Sequence, residues 1–343
     1  MGVEVRTFEQ APEAWRHYAD GSASACIYHD ARWKTVIEET YGHICHYLIA
    51  FRSDRPAGIL PLVEIRSRWF GHFMVSLPFV TYGGITAEDD SAATALAEEA
   101  ARRCREAGGR WVELRQRDNA GLRWPSRHHK VALATDVSNG AEALWTRLSS
   151  RLRGKIRKAE RSGASFEVAG AEGAGEFYRI FARNMRDLGT PVYPLRFFQS
   201  IAGHFSGQTR LFLVRKSGRV VAAAFGLEDR RLLQLPWICS DYRYSGNYAN
   251  EFLYWSVLEW AANHGFRKVD FGRSTAGSGN HRFKKQWNPE ETPLTWYYWT
   301  PEGCSPPRLD PESPRFRLAI RLWRRLPLAV ANFLGPRIVR CLP

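Results

Sequence analysis

Residues 232–271 read LLQLPWICSDYRYSGNYANEFLYWSVLEWAANHGFRKVDF. The opening LLQLPWI is apolar enough for a buried strand, residues 249–264 carry a helical pattern, and Val269-Asp270-Phe271 is a second strand. Just upstream, residues 210–215 and 220–227 flank a turn at Lys216-Ser217-Gly218 and read as a hairpin. The order is hairpin, strand, loop, helix, strand. The first half repeats it. Residues 47–51 and 57–63 flank Ser53-Asp54-Arg55-Pro56, residues 73–80 form a strand, 91–107 an Ala/Glu/Arg-rich helix, and 111–114 a strand. Gly108 and Gly265, and Val112 and Val269, both stand 157 residues apart (265 − 108 and 269 − 112). Two anchors at one offset, in elements of the same order, point to a duplicated α/β domain. A helix over 31–41 precedes the first copy, with Trp33, Val36, Ile37 and Thr40 on one side.

The second copy runs into FGRSTAGSGNHRFKKQW at 271–287, which combines small residues with Arg273, His281, Arg282, Lys284 and Lys285. A strand end opening into a Gly/Ser loop is where α/β proteins place chemistry, because the scaffold is rigid and the loop reaches a ligand. A solvated glycine turn with a basic helix face is the plainer alternative. Between the copies, residues 147–161 hold seven basic residues against one acidic, with Leu148, Leu152, Ile156 and Ala159 at helical spacing. One face packs, while the other is either solvated or turned to a polyanion. A second helix, 176–188, ends at Gly189-Thr190-Pro191.

The whole chain agrees with an anionic partner. Its 343 residues carry 49 Lys and Arg against 35 Asp and Glu, a net charge of +14. Nucleic acid, a phosphorylated substrate and an anionic membrane face all fit such a balance. With 44% hydrophobic and 13% aromatic residues, the chain is not disordered. None of the six cysteines forms a CxxC pair, so neither a zinc ribbon nor a disulfide framework is indicated; His43, Cys45 and His46 read as a strand entry, and His128-His129 as a surface pair. No GxSxG, GxxxxGK[ST] or strand-linked GxGxxG is present, which argues against nucleophilic hydrolases, P-loop enzymes and dinucleotide-binding dehydrogenases. No metal site is expected. No leader or spanning segment is read, so the expected location is cytoplasmic. After a Pro-rich linker, residues 301–314, an apolar stripe of Phe316, Ala319, Ile320, Trp323 and Leu326 shares a helix with Arg317, Arg321, Arg324 and Arg325, until Pro327 interrupts it. Residues 315–340 either touch the inner membrane face peripherally or pack back on the protein.

Arg243-Tyr244-Ser245-Gly246-Asn247-Tyr248-Ala249 resembles the (R/Q)xxGx(G/A) loop with which N-acyltransferases of the GNAT superfamily hold a pyrophosphate at a helix start. Arg243 and Gly246 fit, whereas Tyr248 fills the final small position. Longer motifs resemble the FemAB-like proteins, in the branch associated with PEP-CTERM/exosortase exopolysaccharide systems. They are KIRKAERSG at 155–163, NMRDLGTPVY at 184–193, LPW at 235–237, NYANEFLYW at 247–255, and the 271–287 stretch. The similarity runs from about Trp33 to Trp299 and leaves out the tail.

This resemblance implies an α/β (α+β) protein of two tandem GNAT-like domains, each a mixed, mostly antiparallel sheet with flanking helices. The expected division is 1–143, 144–300 with the main motifs, and a tail at 301–343. It implies transfer of an acyl or aminoacyl group to an amine of a cell-envelope or exopolysaccharide precursor, with acyl-CoA or aminoacyl-tRNA as co-substrate. The family's coiled-coil arm has no heptads here. Such chemistry needs an activated ester or thioester, an unprotonated amine and oxyanion stabilisation. Arg273, Ser274, Lys284 and Lys285 are candidates for the donor or substrate anion, with Arg157 and Lys158 behind them. Asn184, Arg186, Asp187 and Tyr193 are candidates for the acceptor side, Trp237 for stacking, and Arg243, Gly246 and Asn250 for the helix-start loop. Asp241 and His281 are the candidate bases; Asp270 reads as an organiser of the strand end and Glu251 as a helix-start residue. A non-catalytic GNAT-like module and a nucleic-acid binder are the rival readings, the second without a recognition motif.

Overall fold

The computed structural model describes residues 2–68, 71–302 and 314–342. They form two compact units, one comprising the chain up to 131 with 292–302 and 341–342, the other 132–291 with 314–340. The first holds β1 (Glu4–Phe8), α1 (Glu13–Gly21), α2 (Arg32–Tyr41), β2 (Ile44–Arg52), β3 (Arg55–Ser67), β4 (Gly71–Ser76), β5 (Thr86–Ala87), α3 (Asp90–Glu106), β6 (Val112–Gln116) and the start of β7 (Ser126–Asp136). Then come α4 (Gly140–Arg147), α5 (Ser150–Arg161), β8 (Ala164–Ala169), α6 (Ala174–Leu188), α7 (Leu195–His204), β9 (Thr209–Lys216), β10 (Arg219–Asp229), β11 (Leu232–Ser240), α8 (Ala249–Asn263), β12 (Lys268–Thr275) and α9 (Gly279–Lys285). The chain ends with β13 (Glu290–Trp299), α10 (Pro314–Arg325) and α11 (Leu328–Val339).

In the first unit the strand order is β1-β2-β3-β4-β6-β13. Neighbours are antiparallel except β4 and β6, which run parallel at Met74↔Val112 and Val75↔Glu113. The β2–β3 hairpin turns on Ser53 (φ 48°) and Asp54 (φ 60°), the two left-handed residues that a tight hairpin with native twist requires. Alanines let α3 lie close to this sheet: Ala92, Ala93, Ala97 and Ala100 join Leu96 and Cys104 over Leu48, Leu60, Leu62, Met74, Val112 and Leu114. Each buried leucine there contributes about 1.5–3 kcal/mol.

The second unit repeats the plan as β12-β11-β10-β9-β8, again antiparallel except for one parallel pair, β11 and β12. Helix α8 buries Phe252, Leu253, Val257, Leu258 and Ala261 against the sheet and also packs against α4 and α5, so it is apolar on nearly every side. The basic segment is two helices. Ser149 breaks it by accepting a hydrogen bond from the Leu152 amide (3.2 Å), a side-chain cap that starts α5 afresh. Leu152, Ile156 and Ala159 face inward as their spacing requires.

The division differs from the expected 143/144 in two places. The boundary falls inside β7, whose polar start, SRHHK, hides a strand from a periodicity reading. From Thr292 onward the chain belongs to the first unit, where β13 pairs with β6 at Thr295↔Gln116 through Trp299↔Val112. The tail is the other departure. Beyond Pro327 the chain forms a second helix, α11, and both tail helices rest on α6. Most of the 301–314 linker lies outside the described residues.

Candidate active site

Strands β11 and β12 pair only at Leu232↔Lys268, Leu233↔Val269 and Gln234↔Asp270, then part. Three groups keep β12 in shape where it has lost that neighbour. Gly272 takes φ 69°, which re-aims the backbone. Asp270, 5% exposed, accepts from the Gly272 amide through Oδ1 (2.7 Å). Lys284 Nζ donates to the carbonyls of Phe271 (2.6 Å), Gly272 (3.4 Å) and Arg273 (3.3 Å). Lys284 is 4% exposed, and burial pushes its ammonium down to about 8; the charge of Asp270 works against that shift and that of Arg273 with it. A buried lysine thus takes the β12 carbonyls where β11 has parted from them.

Helix α9 carries Lys284 into place. Ser278 caps it by accepting from the His281 amide (3.2 Å). His281 Nδ1 accepts from the Gly277 amide (3.2 Å), which leaves the proton on Nε2 to be donated to Glu291 (2.8 Å). Lys285 pairs with the same carboxylate (2.9 Å), and these two partners hold Glu291 below the usual carboxylate range. Ser274 Oγ is buried and accepts from Asn280 Nδ2 (3.2 Å).

On the other side of the opening, β11 leads through a short 3-10 turn, residues 242–247, to the start of α8. Asp241, 3% exposed, holds the Arg243 guanidinium (Nε to Oδ1 3.0 Å, Nη2 to Oδ2 2.5 Å) and faces Arg183 at 3.8 Å. Burial opposes its ionisation, but the Arg243 hydrogen bonds and the two positive charges prevail and hold the carboxyl below its usual range. Asn184 Nδ2 ties α6 to the Ser240 carbonyl (3.1 Å). Tyr248 precedes α8 with φ 55° and provides no side-chain cap. Lys155 and Lys158, one turn apart on α5, hold their ammonium groups 5.5 and 5.3 Å from its ring centroid, and Lys155 pairs with Glu251 (2.9 Å). An uncapped helix start beside two cations attracts an anion.

Residues 146–285 match the model of the acetyltransferase (GNAT) domain. The fold is that of a GNAT acyltransferase. The crystal structure of FemX aligns with a TM-score of 0.62 at 11% identity, over 86% of this chain and 97% of that one. The structure of L-PGS from Bacillus licheniformis aligns at 0.56 and 13% identity, over 93% and 98%. A tandem GNAT protein from the clavulanic acid biosynthesis pathway aligns at 0.53 and 11%, over 89% and 100%. No curated protein matches by sequence.

Asn184 lies on α6, Asp241, Arg243 and Gly246 on the β11–α8 connection and Asn250 at the start of α8, while Arg273 and Ser274 lie on β12 and Lys284 and Lys285 on α9. Several expected roles change. Asp241 is held ionised by two arginines, which makes it a weak proton acceptor. His281 offers a substrate neither ring nitrogen, since Gly277 and Glu291 occupy both. Lys284 meets buried carbonyls, not a substrate anion. Trp237 is 6% exposed among Phe197, Phe198 and Phe225, at 5.1–5.5 Å between ring centroids, so it is core; Tyr193 packs beside it at 6.4 Å. Arg186 pairs with Asp187 (2.7 Å) and donates to the Leu326 carbonyl (3.0 Å), which assigns both to tail attachment. Arg157 stacks on Trp145 (5.4 Å), while Lys158 stands at the α8 start. The sequence reading missed Lys155 and Arg183; the three-residue spacing of Lys155 and Lys158 was the available signal for the first. Among the described residues, no group of three or more His, Cys, Asp or Glu could hold a metal ion, and no helix is long and apolar enough to cross a membrane.

The first unit also has a cavity, of about 200 Å³, lined by Ser24, Cys26 and His29 together with residues that follow β4 and that end and follow β6. Gln116, 3% exposed, has an Nε2 without a hydrogen-bond partner among the described residues. Beside it, His29 accepts from the Cys26 amide (3.1 Å) and donates to the Gly84 carbonyl (3.0 Å), and burial pushes its pKa down.

Proposed function

We propose that the second unit is an N-acyltransferase or aminoacyltransferase that moves an activated acyl group from an anionic donor to an amine. The observation that carries this reading is the α8 start, uncapped and flanked by Lys155 and Lys158 where β11 and β12 separate. The donor's anionic part sits at that helix start, held by ammonium groups in place of the close glycine amides that Tyr248 displaces. Its acyl arm enters between the strands. The acceptor nitrogen attacks the acyl carbonyl, the ester or thioester bond breaks, and the leaving oxygen or sulfur keeps the electron pair and takes up the amine's proton. With Asp241 and His281 engaged elsewhere, the amine arrives already neutral, and after its attack the N–H proton passes to the leaving group. Acyl-CoA and aminoacyl-tRNA are the donor classes, and an amine of an envelope or exopolysaccharide precursor is the acceptor.

The test incubates the full chain with acyl-CoAs, aminoacyl-tRNAs and amine acceptors and follows amide products by mass spectrometry. One donor class should give product, and Lys155→Ala with Lys158→Ala should raise its KM; an unchanged KM in that variant would sink the placement. A second reading, a non-catalytic module, draws on Tyr248, whose ring stands where the GNAT loop has a small residue. Such a module binds donor and forms no amide.

A further inference from the structure

The two tail helices dock on α6 through narrow inward faces. On α10, Ile320 seats over the C-cap of α6: a Cβ on Gly189, which takes φ 80°, would come within 2.5 Å of Ile320 Cγ2. On α11, Ala331, Gly335 and Val339 are buried, and a Cβ on Gly335 would lie 2.8 Å from the Val192 amide nitrogen. Arg324 donates to the Leu188 carbonyl (3.3 Å) and Arg186 to that of Leu326 (3.0 Å), fixing the junction. The outward faces are the unusual ones. Leu318, Leu322, Val330 and Phe333 are 56%, 55%, 39% and 60% exposed, four of the seven exposed large hydrophobic side chains among the described residues. At about 100° per residue, Leu318 and Leu322 share a face of α10 with Arg321 and Arg325, and Val330 and Phe333 share one of α11 with Arg337 and Arg340. Residues 314–343 contain seven arginines and no Asp or Glu.

We infer that the α10–α11 tail is a peripheral docking surface for an anionic lipid bilayer. Apolar side chains pointing away from the protein, each set bracketed by arginines, match the boundary between acyl chains and anionic headgroups: leucine and phenylalanine enter the apolar layer while guanidinium groups stay at phosphate depth. A polyanion in water, such as RNA, fits the arginines but gives the exposed leucines and Phe333 nothing to bury against. An acidic protein would have to supply an apolar face of its own. This surface stands independently of the transfer reaction, since none of its outward residues belongs to the α8 or β12 site.

Co-sedimentation of the full chain with vesicles tests the inference, using phosphatidylcholine containing roughly one-third phosphatidylglycerol against phosphatidylcholine alone. The wild type should bind the anionic vesicles at least about 10-fold more tightly, with binding falling as salt rises. Leu318→Ser/Leu322→Ser/Phe333→Ser should lose about 10-fold or more at an unchanged melting temperature. Arg321→Glu/Arg325→Glu, which leaves the apolar residues intact, should lose a similar factor. Undiminished binding by both variants overturns the proposal. So does equal affinity for neutral and anionic vesicles, or retention by an RNA homopolymer that vesicles cannot compete away.

Discussion

The two units contain the same strand divergence, with opposite charge at the helix that follows it. In the first, α3 begins behind Asp89, whose Oδ1 accepts from the Ala92 amide (2.9 Å), and Asp90 occupies its first turn. Glu88 pairs with Arg55 and Asp89 with Arg52, both at 2.7 Å. The positive end of that helix is already matched by the protein's own carboxylates. In the second unit, α8 starts behind Tyr248 without a cap, and α5 brings two lysines to the same place. A helix dipole is worth as much to an internal carboxylate as to an external anion; Glu251 in the first turn of α8 is paired with Lys155, which leaves the Lys158 charge in excess, so the start of α8 favours an added anion more than that of α3. Duplication supplied two similar frames, and a few residues at each helix start distinguish their use.

The largest expected effect separates the two starts directly. Lys155→Ala/Lys158→Ala should cut kcat/KM for the anionic donor about 100-fold, roughly a factor of ten for each lost charge-assisted contact. Steady-state kinetics checks it; a loss confined to kcat would assign the lysines elsewhere. Next is Lys284, whose ammonium is depressed to about 8 in the folded state from an ordinary 10.5. A lysine with a lowered folded value costs stability while protonated, in full below about pH 8, and the cost lifts as pH rises toward the unfolded value. From pH 7.5 to 9.5 the wild type should therefore gain roughly 2 kcal/mol relative to Lys284→Met, read from urea unfolding. A constant difference between the two proteins would mean that Lys284 does not titrate in that window.

Asp89→Ala should cost about 1 kcal/mol of stability, the usual value of such a cap, and leave turnover unchanged. A large loss of activity would place chemistry in the first unit and undo the contrast. The smallest change is expected for Tyr248→Gly. Glycine relieves the left-handed strain at φ 55°, while two cation–π contacts disappear, so stability should move by less than about 1 kcal/mol. The same variant should lower KM for acyl-CoA several-fold if the Tyr248 ring is what narrows the approach of a pyrophosphate, and enzyme kinetics would show it.

Much of the frame was legible. The 157-residue offset and the repeated element order identified the duplication, since helix periodicity and the glycines after α3 and α8 (Gly108 at φ 69°, Gly265 at φ 78°) are local signals. The polar start of β7 and the distant pairing of β13 with β6 carry no such signal, and the unit boundary was misplaced there. Within the site, residue types were readable and their partners were not. Lys284, Asp241 and His281 each look reactive in isolation. Their tasks emerge only from buried carbonyls, two arginines, and an amide with a glutamate, contributed in part by elements remote in the chain.

By itself, the sequence determined that this chain repeats one α/β element order, carries its basic and glycine-rich residues in the second copy, and ends in an arginine-rich amphipathic segment. Those features follow from periodicity, turn chemistry and charge, which act over a few residues. Tertiary structure alone decided which cations are buried as braces and which remain at a helix start, and which side of the tail faces away from the protein. Burial and electrostatic pairing depend on neighbours supplied by other elements, and folding brings those neighbours together.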